Sequence, residues 1–287
     1  MKSNNPVFSR SEEFNRSGAN AYGNQTYAGG YGSDPSTWGT GTPGDTGHAA
    51  PQAPAAPMTI DSVVQKTAIT LGVVLVAAFA TWVVTPDLRG STEAASSLYA
   101  ALMIGTFGAF ALSMVNSFKK VVSPGLVLAY AALQGVGMGA FSKVIEQTFV
   151  PEGSGSIVMQ AVIGTFAAFA GTLAAYKFFD IQVGNKFRTF VVAAMFGMVA
   201  LGLLEVVLSM FGSAMGFLGF GGLGLLFAVA GLVLGVFMLI LDFDFVEQGV
   251  ANRIPERESW RAAFALSVSL VWIYTNLLRI LAILQND

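Results

Sequence analysis

Seven times along this chain an apolar stretch runs for about twenty residues or more before a polar or Gly/Pro-rich turn interrupts it. To within a few residues the stretches are 63–84, 95–118, 124–149, 156–179, 188–212, 219–244 and 262–284. About 20 apolar residues in an α-helix cross the roughly 30 Å of bilayer hydrocarbon. The pattern therefore predicts an all-α, polytopic membrane bundle of seven transmembrane helices. The breaks between stretches read as turns: Thr85-Pro86-Asp87, Lys119-Lys120 followed by Ser123-Pro124, Pro151-Glu152-Gly153, and Asp180 to Asn185. Asp61 or Ser62 can cap the first helix. The fifth connection, Gly212–Gly222, is Gly-rich and uncharged, and two readings are open there: a tight turn, or a re-entrant piece that would leave six full crossings.

Composition agrees, with 54% hydrophobic and 11% charged residues against about 25% charged in ordinary soluble domains. A net charge of −2 gives no nucleic-acid surface, and no nucleic-acid partner is expected. With no cysteine, thiol catalysis and iron–sulfur ligation are unavailable. The single histidine, His48, lies in a polar tail, where it is a poor general base and no zinc-ligand pair. An intramembrane aspartyl protease needs two aspartates on facing helices, and a serine protease needs a base near Ser267 or Ser269; neither is in evidence. The expectation is a protein that is not an enzyme and has no cofactor beyond transiently bound calcium.

Residues 1–57 precede the bundle, which occupies 58–287. The run Asn20–Gly47 is mostly Gly, Ser, Thr, Asn and Tyr, and Pro51–Pro57 is a Pro/Ala linker. So little apolar surface cannot offset ordering entropy, so a disordered tail is expected. No apolar core follows Lys2, so it does not read as a signal peptide. Basic residues orient the bundle. With the N-terminus in the cytoplasm, twelve of the fifteen Lys and Arg residues fall on the inner side, the exceptions being Arg89, Lys143 and Arg279. Seven crossings then place the C-terminus outside, in a multi-pass protein of the plasma membrane.

Charges inside spans cost roughly 2.5–3.5 kcal/mol each on insertion scales, so each needs a partner, a polar cavity or a position at the surface. Counting depth at about 1.5 Å per residue sorts them into two layers. Lys143, Glu146, Glu205 and Arg279 belong to an outer one. There Glu205 is expected to pair with Arg279 or to share a network with Lys143 and Glu146, whose three-residue spacing also lets them pair with each other. Asp242 and Asp244, which follow the uncharged run Leu232–Leu241, belong to an inner layer within reach of Asn116, Ser267 and Ser269. Two residues apart on a helix point about 200° apart, so only one of the two aspartates can face a given cavity. The mixed charges from Glu247 to Arg261 read as a solvated cytoplasmic linker. Gly135, Gly137, Gly139, Gly164, Gly171, Gly197 and Gly202 read as sites of close helix approach.

The C-terminal third carries a resemblance. Leu241-Asp242-Phe243-Asp244-Phe245-Val246-Glu247-Gln248, a short charged linker, then Leu266-Ser267-Val268-Ser269-Leu270-Val271-Trp272 and Leu277-Leu278-Arg279-Ile280-Leu281 resemble the end of Bax inhibitor-1-like proteins, and the layout resembles their bacterial, long-tailed members over residues 60–284. The resemblance implies six helices around a central seventh and a pH-sensitive calcium leak through the membrane; in eukaryotes the family is associated with protection against cell death. It also implies an aspartate late in helix six that shares a proton with one in helix seven. The first carries over to Asp244, with Asp242 as second choice. The helix-seven position is Ser269, so the paired-carboxylate sensor cannot form here in the family's usual way. Two functions follow as expectations. One is a calcium leak channel gated at Asp242 or Asp244. The other, suited by the dense glycines and long tail, is a non-conducting regulator that binds other membrane proteins such as a membrane protease.

Overall fold

The computed structural model describes residues 56–88, 92–151 and 155–286. The expected tail lies outside the described residues except for its last two positions. Seven helices follow in order: α1 Ile60–Val84, α2 Thr92–Phe118, α3 Pro124–Phe149, α4 Ile157–Phe178, α5 Asn185–Met210, α6 Gly222–Ala251 and α7 Ser259–Asn286, the last preceded by a 3-10 turn at Glu256–Glu258. All seven are long and apolar enough to cross a membrane, and no strand occurs among the described residues.

Local chemistry explains the boundaries. Thr59, rather than Asp61 or Ser62, caps α1. Its hydroxyl accepts from the Ser62 amide while the Ser62 hydroxyl accepts from the Thr59 amide, each at 3.1 Å, the reciprocal arrangement that satisfies two orphan donors. Pro124 opens α3, where its missing N–H costs nothing. Asp180 and Arg253 adopt left-handed backbone just beyond α4 and α6; there Ile181 donates back to the Tyr176 carbonyl and Ile254 to that of Gly249. The connection from 211 to 221 is an irregular, Gly-rich turn, so α5 and α6 are separate helices, each long and apolar enough to cross.

The bundle is built around α7, the most buried of the seven. It packs against α1, α3, α4 and α6, while α2 lies mainly on α3 and α5 on α6. Three core clusters meet on it. Leu270 and Ile273 join Leu239 and Phe243 of α6; Tyr274 and Leu278 join Met138 and Ile145 of α3 and Ala161 of α4; Phe264 sits edge-on to Tyr130 of α3, centroids 4.9 Å apart. The outside is apolar as well. Phe79, Phe107, Phe196 and Leu226 are all more than 60% exposed, the surface of a bundle whose surroundings are lipid.

Some glycines make the close approaches and others do not. A Cβ on Gly135 or Gly139 of α3 would collide with the backbone of α1 at Val74 or Ala78, so α1 and α3 touch main chain to main chain there. Gly171, Gly197 and Gly202 instead face open space, and the expectation of close packing fails for them.

The basic end of the bundle, where α1, α3, α5 and α7 begin, is closed by a strap rather than by a loose linker. The Met58 amide donates to the Ile254 carbonyl and the Glu256 amide to the Ala56 carbonyl, each at 2.7 Å, and Pro57 and Pro255 form a bridge between them. Met58 is 1% exposed. Lys66 pairs with Glu256 at 2.8 Å, the Ser62 and Ser259 hydroxyls are 2.7 Å apart, and Arg261 pairs with Glu258 at 3.0 Å while donating to the Lys120 carbonyl at 2.7 Å. Glu258, Ser259 and Arg261 are all buried. The expected solvated linker is thus a folded element, because its charges have partners on α1, on the α2–α3 turn and within itself.

Candidate functional site

The polar residues late in α6 point to three different helices. Asp242 faces α7, where the Ser269 hydroxyl donates to its carboxylate at 2.6 Å. Both are buried, Ser269 completely. No cation pairs with Asp242 among the described residues, so charge on it would be countered by one hydroxyl alone. Asp244, two residues on, turns toward α5. Its carboxylate receives Arg188 at 2.6 Å and the Gln248 amide at 2.7 Å. Glu247 accepts from the Tyr176 hydroxyl of α4 at 2.6 Å.

The helical screw accounts for this division. Asp244 had first place opposite Ser269 by family resemblance; the structure puts Asp242 there instead. Ser267 and Asn116 do not join it. Ser267 donates to the Ala263 carbonyl within its own helix, and Asn116 donates to the Leu126 carbonyl across the α2–α3 turn. Arg188, Tyr176 and Gln248 are partners that depth counting did not single out. Gln248 was legible as the position four residues beyond Asp244 on the same helix face; Arg188 and Tyr176 depend on which helix lies beside α6.

The seam that holds Asp242 is fixed on both sides. The Trp272 indole, three residues beyond Ser269, donates to the Gly231 carbonyl of α6 at 2.8 Å. Phe243 packs with Phe169 and Tyr176 of α4. The carboxylate is thus buried in this seam, and among the described residues its hydrogen-bond partner is Ser269.

The four charges at the opposite end share a layer, as depth counting expects, but they do not pair with one another. Glu205 accepts the amides of Met215 and Gly216 at 3.0 and 2.6 Å, and Arg279 donates to the carbonyls of Phe217 and Gly219 at 2.9 and 3.2 Å. The two side chains hold one loop, Glu205 through its amides and Arg279 through its carbonyls. Lys143 donates to the carbonyls of Trp82 and Thr85 at the end of α1 and pairs with Asp87 at 3.0 Å. Glu146 accepts from the Ser156 hydroxyl at 2.8 Å and the Val158 amide at 3.3 Å, at the start of α4. Helix ends leave amides and carbonyls unmatched, and a cation near a C-terminus or an anion near an N-terminus is favoured by the helix dipole. That demand is stronger than the pull of Lys143 and Glu146 toward each other.

Among the described residues, no three His, Cys, Asp or Glu side chains converge to hold a metal ion. A family model described as Bax inhibitor 1 like matches residues 5–286. The match covers nearly the whole chain, including most of the tail that the resemblance in the C-terminal third left out. No curated protein matches the chain.

Proposed function

The chain belongs to the Bax inhibitor 1 like family, and on that premise we propose that it is a pH-sensitive calcium leak pathway, gated where α6 meets α7 at Asp242 and Ser269. The observation that carries this reading is the buried Asp242 carboxylate on the central helix seam, bonded to a hydroxyl and, among the described residues, to no cation. A cation entering the seam would find two carboxylate oxygens and the Ser269 oxygen. Calcium takes six to eight oxygen ligands, so so few oxygens suit passage better than storage. When the carboxyl is ionised it can only accept; once protonated it becomes a donor as well. Its bond to Ser269 must then rearrange, and with it the contact between the two helices.

The charged groups around this seam are already engaged. Asp244 is held by Arg188 of α5 and Glu247 by Tyr176 of α4. On α1, Lys66 is occupied by Glu256. Of the three carboxylates late in α6, Asp242 is the one bonded across to α7, so its protonation acts on the α6–α7 contact directly. The same reading assigns the protein no catalytic role and places it in the plasma membrane. The basic end of the bundle lies in the cytoplasm by the distribution of Lys and Arg.

Calcium entry into liposomes containing only this protein tests the proposal. Flux that varies between about pH 5 and 8, the range open to a perturbed carboxylate, is expected. Absence of flux throughout that range would sink the channel reading and favour a non-conducting regulator of other membrane proteins.

A further inference from the structure

We propose that a cleft between α1 and α4 is a binding site for one acyl chain of a bilayer phospholipid. The two helices do not pack along one another. Between them lies a space of about 490 Å³, walled by residues such as Leu75 and Phe79 of α1 and Val162 and Phe166 of α4, and floored by Met138 of α3 and Leu270 of α7.

Three observations identify the occupant. The first is length. The wall on α1 runs from Leu71 to Trp82 and that on α4 from Ser156 to Phe166, about 16 and 15 Å at 1.5 Å per residue. Both begin at the end of the bundle opposite the strap and stop near its middle. Half of a hydrocarbon core of about 30 Å is about 15 Å, so the cleft spans a single leaflet. The second is volume. A space of about 490 Å³ lies within the roughly 300–1,000 Å³ of small-molecule pockets, and drawn out along about 15 Å it suits one slender, extended hydrocarbon chain.

The third is the state of the polar groups. Four hydroxyls border the cleft, and every one has a partner within the protein. Ser142 and Tyr274 bond each other at 2.6 Å, Ser156 donates to Glu146, and Thr165 donates to the Ala161 carbonyl. A site for a polar solute presents a few unmatched groups to orient it; the hydroxyls of this one present none, and its remaining N–H, the Trp82 indole, lies near the end of α1, where such rings settle at headgroup level. The cleft is also separate from the Asp242 seam. The two share α7, where Leu270 lines the cleft and Ser269 bonds Asp242, but the lipid site stands whether or not the protein conducts.

Native mass spectrometry of the full chain, released from detergent micelles with added dipalmitoyl phosphatidylglycerol, tests the site. One phospholipid per chain is expected to survive activation that strips the rest. Val162→Trp fills the cleft from α4 and is expected to lower retention at least tenfold. Ile163→Trp, the next residue but on the open outer surface, is expected to leave it unchanged. Leu75→Trp, which fills the cleft from the facing wall, replaces Val162→Trp if that variant is not monodisperse. Failure to retain any phospholipid overturns the proposal, as does equal retention in the cleft-filling and Ile163→Trp proteins. Retention of free palmitic acid in place of phospholipid overturns the assignment to a bilayer lipid. A second copy of the chain that is lost on filling the cleft would make it a helix interface instead.

Discussion

Asp242 and Asp244 differ in surroundings although only Phe243 separates them. Asp244 has an arginine and an amide; Asp242 has a serine. Asp242→Asn is therefore expected to flatten the pH dependence of calcium flux, while Asp244→Asn mainly destabilises, by about 1–3 kcal/mol, through an Arg188 left without its charge partner. Ser269→Asp would place two carboxylates where one proton must be shared, and because like charges resist joint ionisation the midpoint of the flux profile is expected to move to higher pH. Flux measurements on the three variants check all of this. A pH profile that survives in Asp242→Asn removes Asp242 as the gate while leaving the pathway intact.

At the far end, Glu205 and Arg279 look like an ion pair by depth and are not one. Each alanine substitution removes two charge-assisted hydrogen bonds to part-buried loop backbone, so each is expected to lower stability by about 1–3 kcal/mol. The Glu205→Ala, Arg279→Ala protein should be no more stable than the worse single variant, since neither removal relieves the other. Thermal unfolding in detergent measures this. A double variant more stable than either single one would restore the direct pair.

Among the helices, the contact of α1 with α3 is the least forgiving. Gly139→Ala would drive a methyl group into the Ala78 main chain, and backbone cannot step aside as a flexible side chain can. Overpacking of this kind typically costs about 1–3 kcal/mol. Gly197→Ala, with nothing within 4 Å of the new atom, is expected to be neutral or mildly stabilising, since alanine is the better helix former. Comparing the two thermal midpoints tests whether glycine serves packing at one site and not at the other. The helix ends follow a common rule. Lys143, Glu146 and Arg261 each spend their charge on the unmatched backbone of a neighbouring helix end or the turn beside it, which is why spans that look too polar for lipid are stable in it.

Over the whole bundle, the asymmetry of Lys and Arg predicts that the two termini lie on opposite sides of the membrane. The chain has no cysteine, so a single one introduced at Ser3 or at Asp287 reports without background. In sealed right-side-out vesicles a membrane-impermeant maleimide is expected to label Asp287→Cys and to label Ser3→Cys only after lysis. Labelling of both before lysis would mean an even number of crossings; the opposite pattern would invert the bundle. The strap at the basic end ties Ala56, Pro57 and Met58 to the α6–α7 connection. Ala56 and Pro57, which composition assigns to the tail, are thus paired to the bundle, because main-chain pairing does not require apolar side chains.

Spans, breaks and depth layers were legible in the residues. Helix length, apolar runs and turn chemistry are local properties, and a rise of 1.5 Å per residue carries depth along a straight element. The depth of Glu205 and of Arg279 followed from counting alone. Their partners did not, because a side chain bonds whatever its neighbour presents, and in these cases that was loop backbone. Likewise the screw of α6 dictated that Asp242 and Asp244 part company, but not which of them meets Ser269. That choice depends on the rotation of α6 against α7, set where Leu239 and Phe243 pack on Leu270 and Ile273. Rotation about a helix axis is fixed by long-range packing, and apolar sequence on every side of a helix leaves no polar face from which to read it.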